Sequence, residues 1–129
     1  MSKVYPLSGN QRGAVDPSET VWLSASAGTG KTQVLSARVL RLLLQPKVEP
    51  GQVLCLTFTK AGAAEMATRV NDVLARWVRL PDTELARELG AIGAAMGPQT
   101  VARARSFVVL PAPADGERGI VTVHVPLRA

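Results

Sequence analysis

The octet Ala25-Ser26-Ala27-Gly28-Thr29-Gly30-Lys31-Thr32 places a lysine and a hydroxyl directly behind two glycines. The general phosphate-loop pattern is Gly, four residues, then Gly-Lys-Ser/Thr; here Ala25 stands at the first glycine and Gly30-Lys31-Thr32 completes the pattern. A loop that leaves a buried strand and enters a helix turns several backbone N–H groups toward one point and adds the positive end of the helix dipole, so phosphate oxygens find donors ready made. Gly28 and Gly30 allow the backbone to curl closely around that anion. Lys31 is expected to neutralise charge between the β and γ phosphates of ATP. The Thr32 hydroxyl is expected to join the coordination of a Mg2+ ion that keeps most of its waters. An ordinary glycine-rich turn before a helix shares this composition.

A second group is Leu56-Thr57-Phe58-Thr59-Lys60. Phe58 offers a stacking face, Thr57 and Thr59 offer hydroxyl donors to phosphate, and Lys60 adds one cation. This equipment suits a single strand held without reading its bases. The competing reading of Phe58 is a core side chain.

These residues need elements to position them. Val21 to Ser24 reads as a strand buried on both faces, and Val53 to Phe58 as a second, with the helix between them completing a β-α-β unit. That helix is expected over Lys31 to Leu44, with Leu35, Val39, Leu42 and Leu43 inward and Arg38 and Arg41 turned away; Pro46, Pro50 and Gly51 follow it. From Ala61 a second helix carries Met66, Val70, Val73, Trp77 and Leu80 on one face and Arg69, Asp72, Arg76 and Arg79 on the other, ending at Pro81. Asp82 is placed to cap a third helix with Leu85, Leu89 and Ile92 on one side, closed by the region of Gly90, Gly93 and Gly97. Beyond Arg105 helical periodicity is lost: Phe107 to Leu110 is apolar, Asp115-Gly116-Glu117 reads as a turn, and Gly119 to Val123 as a last strand. The fold class that follows is α/β, a partial phosphate-loop NTPase domain of RecA-like type with a short parallel sheet flanked by helices and an irregular C-terminal tail.

A chain of 129 residues is one modest domain or a piece of a larger one. Its 47% hydrophobic residues are dispersed, with no apolar stretch of about 18 or more, so no membrane span is expected. The first twenty residues lack the layout of a secretory signal, which points to the cytoplasm. Cys55, the single cysteine, cannot form an internal disulfide and reads as a small buried thiol in Val53-Leu54-Cys55-Leu56. Fifteen Lys and Arg against ten Asp and Glu leave a net charge of +5, a balance that favours polyanions such as nucleic acid.

Three stretches carry a family resemblance: Asn10-Gln11-Arg12-Gly13-Ala14-Val15, then Val21 to Leu35, then Val53 through Lys60 to Met66. In them the chain resembles the amino-terminal motor domain of UvrD-like superfamily 1 DNA helicases, most closely the AddA-type subunit of double-strand-break repair helicase–nucleases. The likeness is most specific over residues 9 to 80 and extends to about 105, leaving 106–129 as a divergent tail of a partial motor domain spanning 1–129. It implies that Gln11 hydrogen-bonds the adenine edge, an apt role for an amide that both donates and accepts. It accounts for Ala25, since this family commonly opens its loop with Ala or Gly. It implies that Thr57 to Lys60 touch single-stranded or end DNA, and that the parent protein works with a helicase–nuclease partner subunit. A further family element, Thr-x-His before a small residue and an aromatic, is matched in part by Thr122-Val123-His124-Val125, with Pro126 where the aromatic is expected. A merely solvated histidine is the alternative for His124.

Hydrolysis requires more than a cradle: a carboxylate for the magnesium shell, a group to orient water, and an arginine for charge developing on the phosphoryl group. In the last third, Asp115 and Glu117 are the acidic residues that follow an apolar run, and Pro111 and Pro113 separate them from it. The expectation is therefore an ATP-binding, DNA-contacting part of a repair helicase that is truncated and does not act as a motor alone. A small stand-alone nucleotide-binding module is the alternative, and a small-molecule kinase a weaker third.

Overall fold

A computed structural model of the chain describes residues 4, 7, 9–23, 30–56, 59–109 and 123–124. Five helices lie in these residues: α1 (Gln11–Ala14), α2 (Lys31–Leu44), α3 (Lys60–Trp77), α4 (Asp82–Ala91) and α5 (Pro98–Arg105), with a 3-10 turn at Pro50–Gln52. Two short strands, β1 (Val108–Val109) and β2 (Val123–His124), pair antiparallel, Val108 opposite His124 and Val109 opposite Val123.

Local chemistry explains where the helices start and stop. Gly30 precedes α2 with φ +87°, a left-handed conformation that glycine adopts without steric cost. Gln45, at the other end, is extended, as a residue before proline is pushed to be, and Pro46 follows. Thr59 is extended ahead of α3, and its hydroxyl oxygen accepts from the Gly62 N–H at 3.0 Å, satisfying one of the orphan donors of the first turn. The α4 helix begins after Pro81, with Asp82 as its first residue and not its cap; Asp82 and Glu84 then set negative charge against the positive end of the dipole. It closes through Gly93 at φ +75°, where the Ala94 N–H reaches the Leu89 carbonyl at 3.0 Å and the Gly93 N–H that of Gly90 at 3.0 Å.

The core gathers one stripe from each long helix. Val70, Val73 and Trp77 of α3 are buried with Leu74, while Met66 and Leu80 pack at the margin, as the spacing predicts. Leu85, Leu89 and Ile92 are likewise buried. The stripe on α2 is rotated from expectation: Val34, Ala37, Val39, Leu40, Leu43 and Leu44 face inward, and Leu35 is 43% exposed.

Side chains close what the sheet was expected to hold. Trp77 Nε1 donates to Glu88 Oε2 at 2.7 Å, and Arg76 Nη2 donates to both oxygens of the same carboxylate at 2.8 and 2.9 Å, tying α3 to α4. Helix α5 buries little apolar surface, only Ala104, and is anchored through arginines. Arg103 donates to the Leu43 and Val48 carbonyls at 3.1 and 2.6 Å, and Arg105 to those of Trp77, Val78 and Leu80 at 3.2, 3.2 and 2.7 Å. The carbonyls at and just beyond the ends of α2 and α3 thus find donors on α5, three and two helices later. Apolar periodicity does not reveal α5, because its attachment is polar.

The expected α/β architecture with a short parallel sheet is corrected by these observations. Neither Val21–Leu23 nor Val53–Leu56 forms a strand, no β-α-β unit is built from them, and the strand pair that exists among the described residues is antiparallel and near the C-terminal end. Trp22, Leu54 and Leu56 are 93%, 79% and 84% exposed. The physical reason lies in where the hydrogen bonds come from. A helix satisfies its backbone from within, whereas an apolar run becomes a strand only when a neighbouring backbone supplies the ladder. Cys55, expected to be buried, is exposed on this same unladdered run, and partial desolvation pushes its thiol pKa up. No helix among the described residues is long and apolar enough to cross a membrane.

Candidate functional site

The glycine-rich octet ends at the start of α2, where Gly30 is half-buried and Lys31 and Thr32 are exposed as the helix's first two residues. Gln11 opens α1, and its side chain lies against Gly30: a Cβ built on Gly30 would sit 3.6 Å from Gln11 Nε2. The structure therefore brings together Gln11, Gly30, Lys31 and Thr32, residues separated by about twenty positions in the chain. Ala25, Ser26, Ala27, Gly28 and Thr29 lie outside the described residues.

Arg38 holds this juxtaposition. Expected to turn away from the molecule, it folds back from α2: Nη1 donates to the Ala14 and Asp16 carbonyls at 2.9 Å each, and Nη2 to the Glu19 carbonyl at 2.5 Å. One guanidinium thereby gathers the end of α1 and the segment that follows it, fixing α1 against α2. Within that segment the Asp16 carboxylate accepts from the Ser18 hydroxyl at 2.7 Å and from the Ser18 N–H at 2.9 Å. These hydrogen bonds, the hydroxyl first, lower the Asp16 pKa, with smaller help from the positive charges of Arg41 and Arg38.

The second predicted group is divided. Thr57 and Phe58 lie outside the described residues. Thr59 caps α3 and Lys60 is exposed as its first residue, so Thr59 has a structural task beside any contact with a ligand. Ser36 and Met66, each about one and a half turns into its helix, meet at 3.4 Å between Oγ and Sδ. That contact holds the N termini of α2 and α3, each opening on a lysine, within about 25 Å of one another. Of the last element, Thr122 lies outside the described residues, while the His124 backbone pairs with Val108 in the strand pair, far along the chain from the other candidates.

The arrangement can receive an oxyanion at the start of α2. The first-turn N–H groups point out of the helix end, Gly30 has no side chain to cap them, and an ammonium group and a hydroxyl follow at once. A ligand there would have the Gln11 amide at its side. Among the described residues no group of three or more His, Cys, Asp or Glu could hold a metal ion.

Known proteins resemble this chain over much of its length. The family model of the UvrD/REP helicase N-terminal domain matches residues 7–110. The chain belongs to the UvrD/REP helicase N-terminal domain family. It is 40% identical over 72 residues to a protein of Rickettsia conorii described as a probable DNA helicase II homologue, covering 55% of this chain and 11% of that one. It is 43% identical over 79 residues to an ATP-dependent helicase/nuclease subunit of Pelotomaculum thermopropionicum, covering 58% and 6%. A protein of the same description from Lactobacillus delbrueckii subsp. bulgaricus is 50% identical over 48 residues, covering 37% and 4%. The match thus spans about a tenth or less of these UvrD/REP-type relatives. No solved structure matches the chain. The family resemblance drawn from the sequence, including its likeness to the helicase/nuclease subunit, is thereby borne out.

The residues that sequence reasoning missed are Arg38 and the pair Arg103 and Arg105. An arginine beside an apolar stripe carries no signal of its own that distinguishes a solvated cation from one folded onto distant carbonyls.

Proposed function

We propose that this chain is the ATP-binding and single-stranded-DNA-contacting N-terminal part of an ATP-dependent DNA helicase of DNA repair. The observation that carries the proposal is the seating of the Gln11 amide against Gly30, beside Lys31 and Thr32, in a chain of the UvrD/REP helicase N-terminal family. In this reading the octet from Ala25 to Thr32 cradles the triphosphate, Lys31 offsets its charge, Thr32 offers its hydroxyl to Mg2+, and Gln11 recognises the adenine edge. Bound Mg-ATP would supply the phosphoryl group whose hydrolysis drives a helicase. What the chain's own residues do is bind and orient it. Thr57, Phe58, Thr59 and Lys60 form the DNA contact, with Thr122 and His124 as a more remote one. The net charge of +5 supports binding to a polyanion. A partner of helicase–nuclease type belongs to the same proposal, suggested by the relatives whose names mark them as one subunit of such an assembly.

Calorimetry with Mg-ATP on the wild-type chain and on Lys31→Ala tests the nucleotide half. Binding by the wild type and its loss in the variant are expected, and equal heats from both would overturn the assignment of the loop. A titration with single-stranded oligonucleotide at two salt concentrations tests the DNA half: affinity should fall as salt rises, and salt-independent affinity would contradict it.

A further inference from the structure

A cavity of about 400 Å3 lies between α1, α2 and the last turn of α4, lined by Leu7, Arg12, Val15, Arg41 and the run Gly90 to Gly93. We propose that it binds a small molecule carrying a phosphate or carboxylate on a compact apolar body, with Arg12 and Arg41 gripping the anion. Its volume lies in the range of small-ligand sites, and Leu7, Val15 and Ile92 contribute apolar side chains to its lining.

The two guanidiniums have donors to spare. Arg12 spends one N–H on the Leu7 carbonyl at 3.2 Å. No described group accepts a hydrogen bond from Arg41, whose guanidinium rests beside Gly93, Nη1 lying 3.5 Å from where a Cβ would be. A guanidinium carries five donors in a fixed fork, so most of those on this pair remain for a ligand.

Competing acceptors nearby are partly engaged. The Asp16 carboxylate, which attracts Arg41 across space, takes the Ser18 hydroxyl and N–H on its Oδ1 and makes no hydrogen bond to Arg41. At the end of α4 the carbonyls of Glu88, Leu89 and Gly90 accept from Ile92, Ala94 and Gly93.

Among the described residues this cavity is distinct from the candidate nucleotide site. None of Gln11, Gly30, Lys31 or Thr32 lines it, and Arg41 follows Lys31 by ten residues, about 15 Å down the axis of α2.

Phenyl phosphate is the probe, added to the 15N-labelled full chain, with benzyl alcohol as the uncharged control. Phenyl phosphate should shift the amide resonances of residues 90–93, and benzyl alcohol should not at equal concentration. Arg41→Gln should weaken phenyl phosphate binding by about tenfold, with Arg41→Lys intermediate because an ammonium cannot form the planar two-point contact. If Arg41→Gln fails to fold, the exposed Arg12→Gln carries the same expectation. Three results would each overturn the proposal: no shift at residues 90–93 with millimolar phenyl phosphate, equal shifts from benzyl alcohol, or displacement of the probe by Mg-ATP, which would assign the cavity to the nucleotide.

Discussion

Arg38 Nη1 and the Ala14 carbonyl are 2.9 Å apart, and through that hydrogen bond α2 sets the position of α1 and hence of Gln11 beside Gly30. Since Arg38 sits two turns beyond Lys31, its effect on a nucleotide would be exerted through Gln11. Arg38→Ala should cost about 1.5–3 kcal/mol of stability, the range for hydrogen bonds made by a charged group. It should also weaken Mg-ATP binding while leaving Lys31 in place. Thermal melts and calorimetry on the same sample check both; unchanged affinity in a folded variant would show that Gln11 does not depend on this clamp.

Gly30 is the position where a single methyl group should matter most for the candidate nucleotide site. At φ +87° an alanine would pay about 1–2 kcal/mol for the left-handed conformation alone. Its Cβ would also meet the Gln11 amide at ordinary contact distance. Gly30→Ala is therefore expected to lower the melting temperature modestly and to reduce nucleotide affinity more than stability. A melt as high as the wild type would refute the left-handed turn at the start of α2.

Thr59 separates a folding role from a binding role. Loss of its cap in Thr59→Ala should cost about 1 kcal/mol, whereas Thr59→Ser and Thr59→Asn should restore most of it, since each supplies an oxygen to the Gly62 N–H. If the Thr59 hydroxyl also touches DNA, oligonucleotide affinity should follow Ser better than Asn. Affinity that tracks stability across all three variants would assign Thr59 to the cap alone.

Glu88 gathers Trp77 and Arg76 on one carboxylate, and the Arg76–Glu88 pair is largely shielded, with 17% and 22% of the side chains exposed. Glu88→Ala leaves the guanidinium and the indole N–H without that acceptor and should cost about 2–4 kcal/mol. Glu88→Gln retains an acceptor for one of them and should cost less. Urea unfolding of the two variants gives the comparison; equal losses would mean that the charge of Glu88 carries the whole contribution.

Several parts of this molecule were legible in the amino-acid order. The apolar faces of α3 and α4 follow from spacing, and all of Val70, Val73, Trp77, Leu85, Leu89 and Ile92 are buried as expected. The ends of α2 follow from Gly30 and Pro46, whose effects are local, whereas Thr59, read from the sequence only as a candidate DNA contact, proves to be the cap of α3. The family followed from short stretches of residue types around Gln11, the glycine-rich octet and Thr57 to Lys60. The rotated stripe on α2 shows the limit of spacing: with leucines and valines nearly all round, the helix could bury more than one face, and its neighbours chose Val34 and Leu40 over Leu35.

What the sequence by itself determined is therefore the set of local decisions: where most helices start and stop, which residue types could hold a phosphate, and the family to which the chain belongs. Tertiary structure alone decided the contacts between distant positions. Gln11 came to rest against Gly30, Arg38 on the carbonyls of residues 14–19, Arg103 and Arg105 on the ends of two other helices, and Val21–Leu23 and Val53–Leu56 outside any ladder. The reason is physical. Caps, turns and helical hydrogen bonds close within a few residues, but a strand needs a partner backbone and an arginine needs an acceptor, and neither partner is written next to it in the chain.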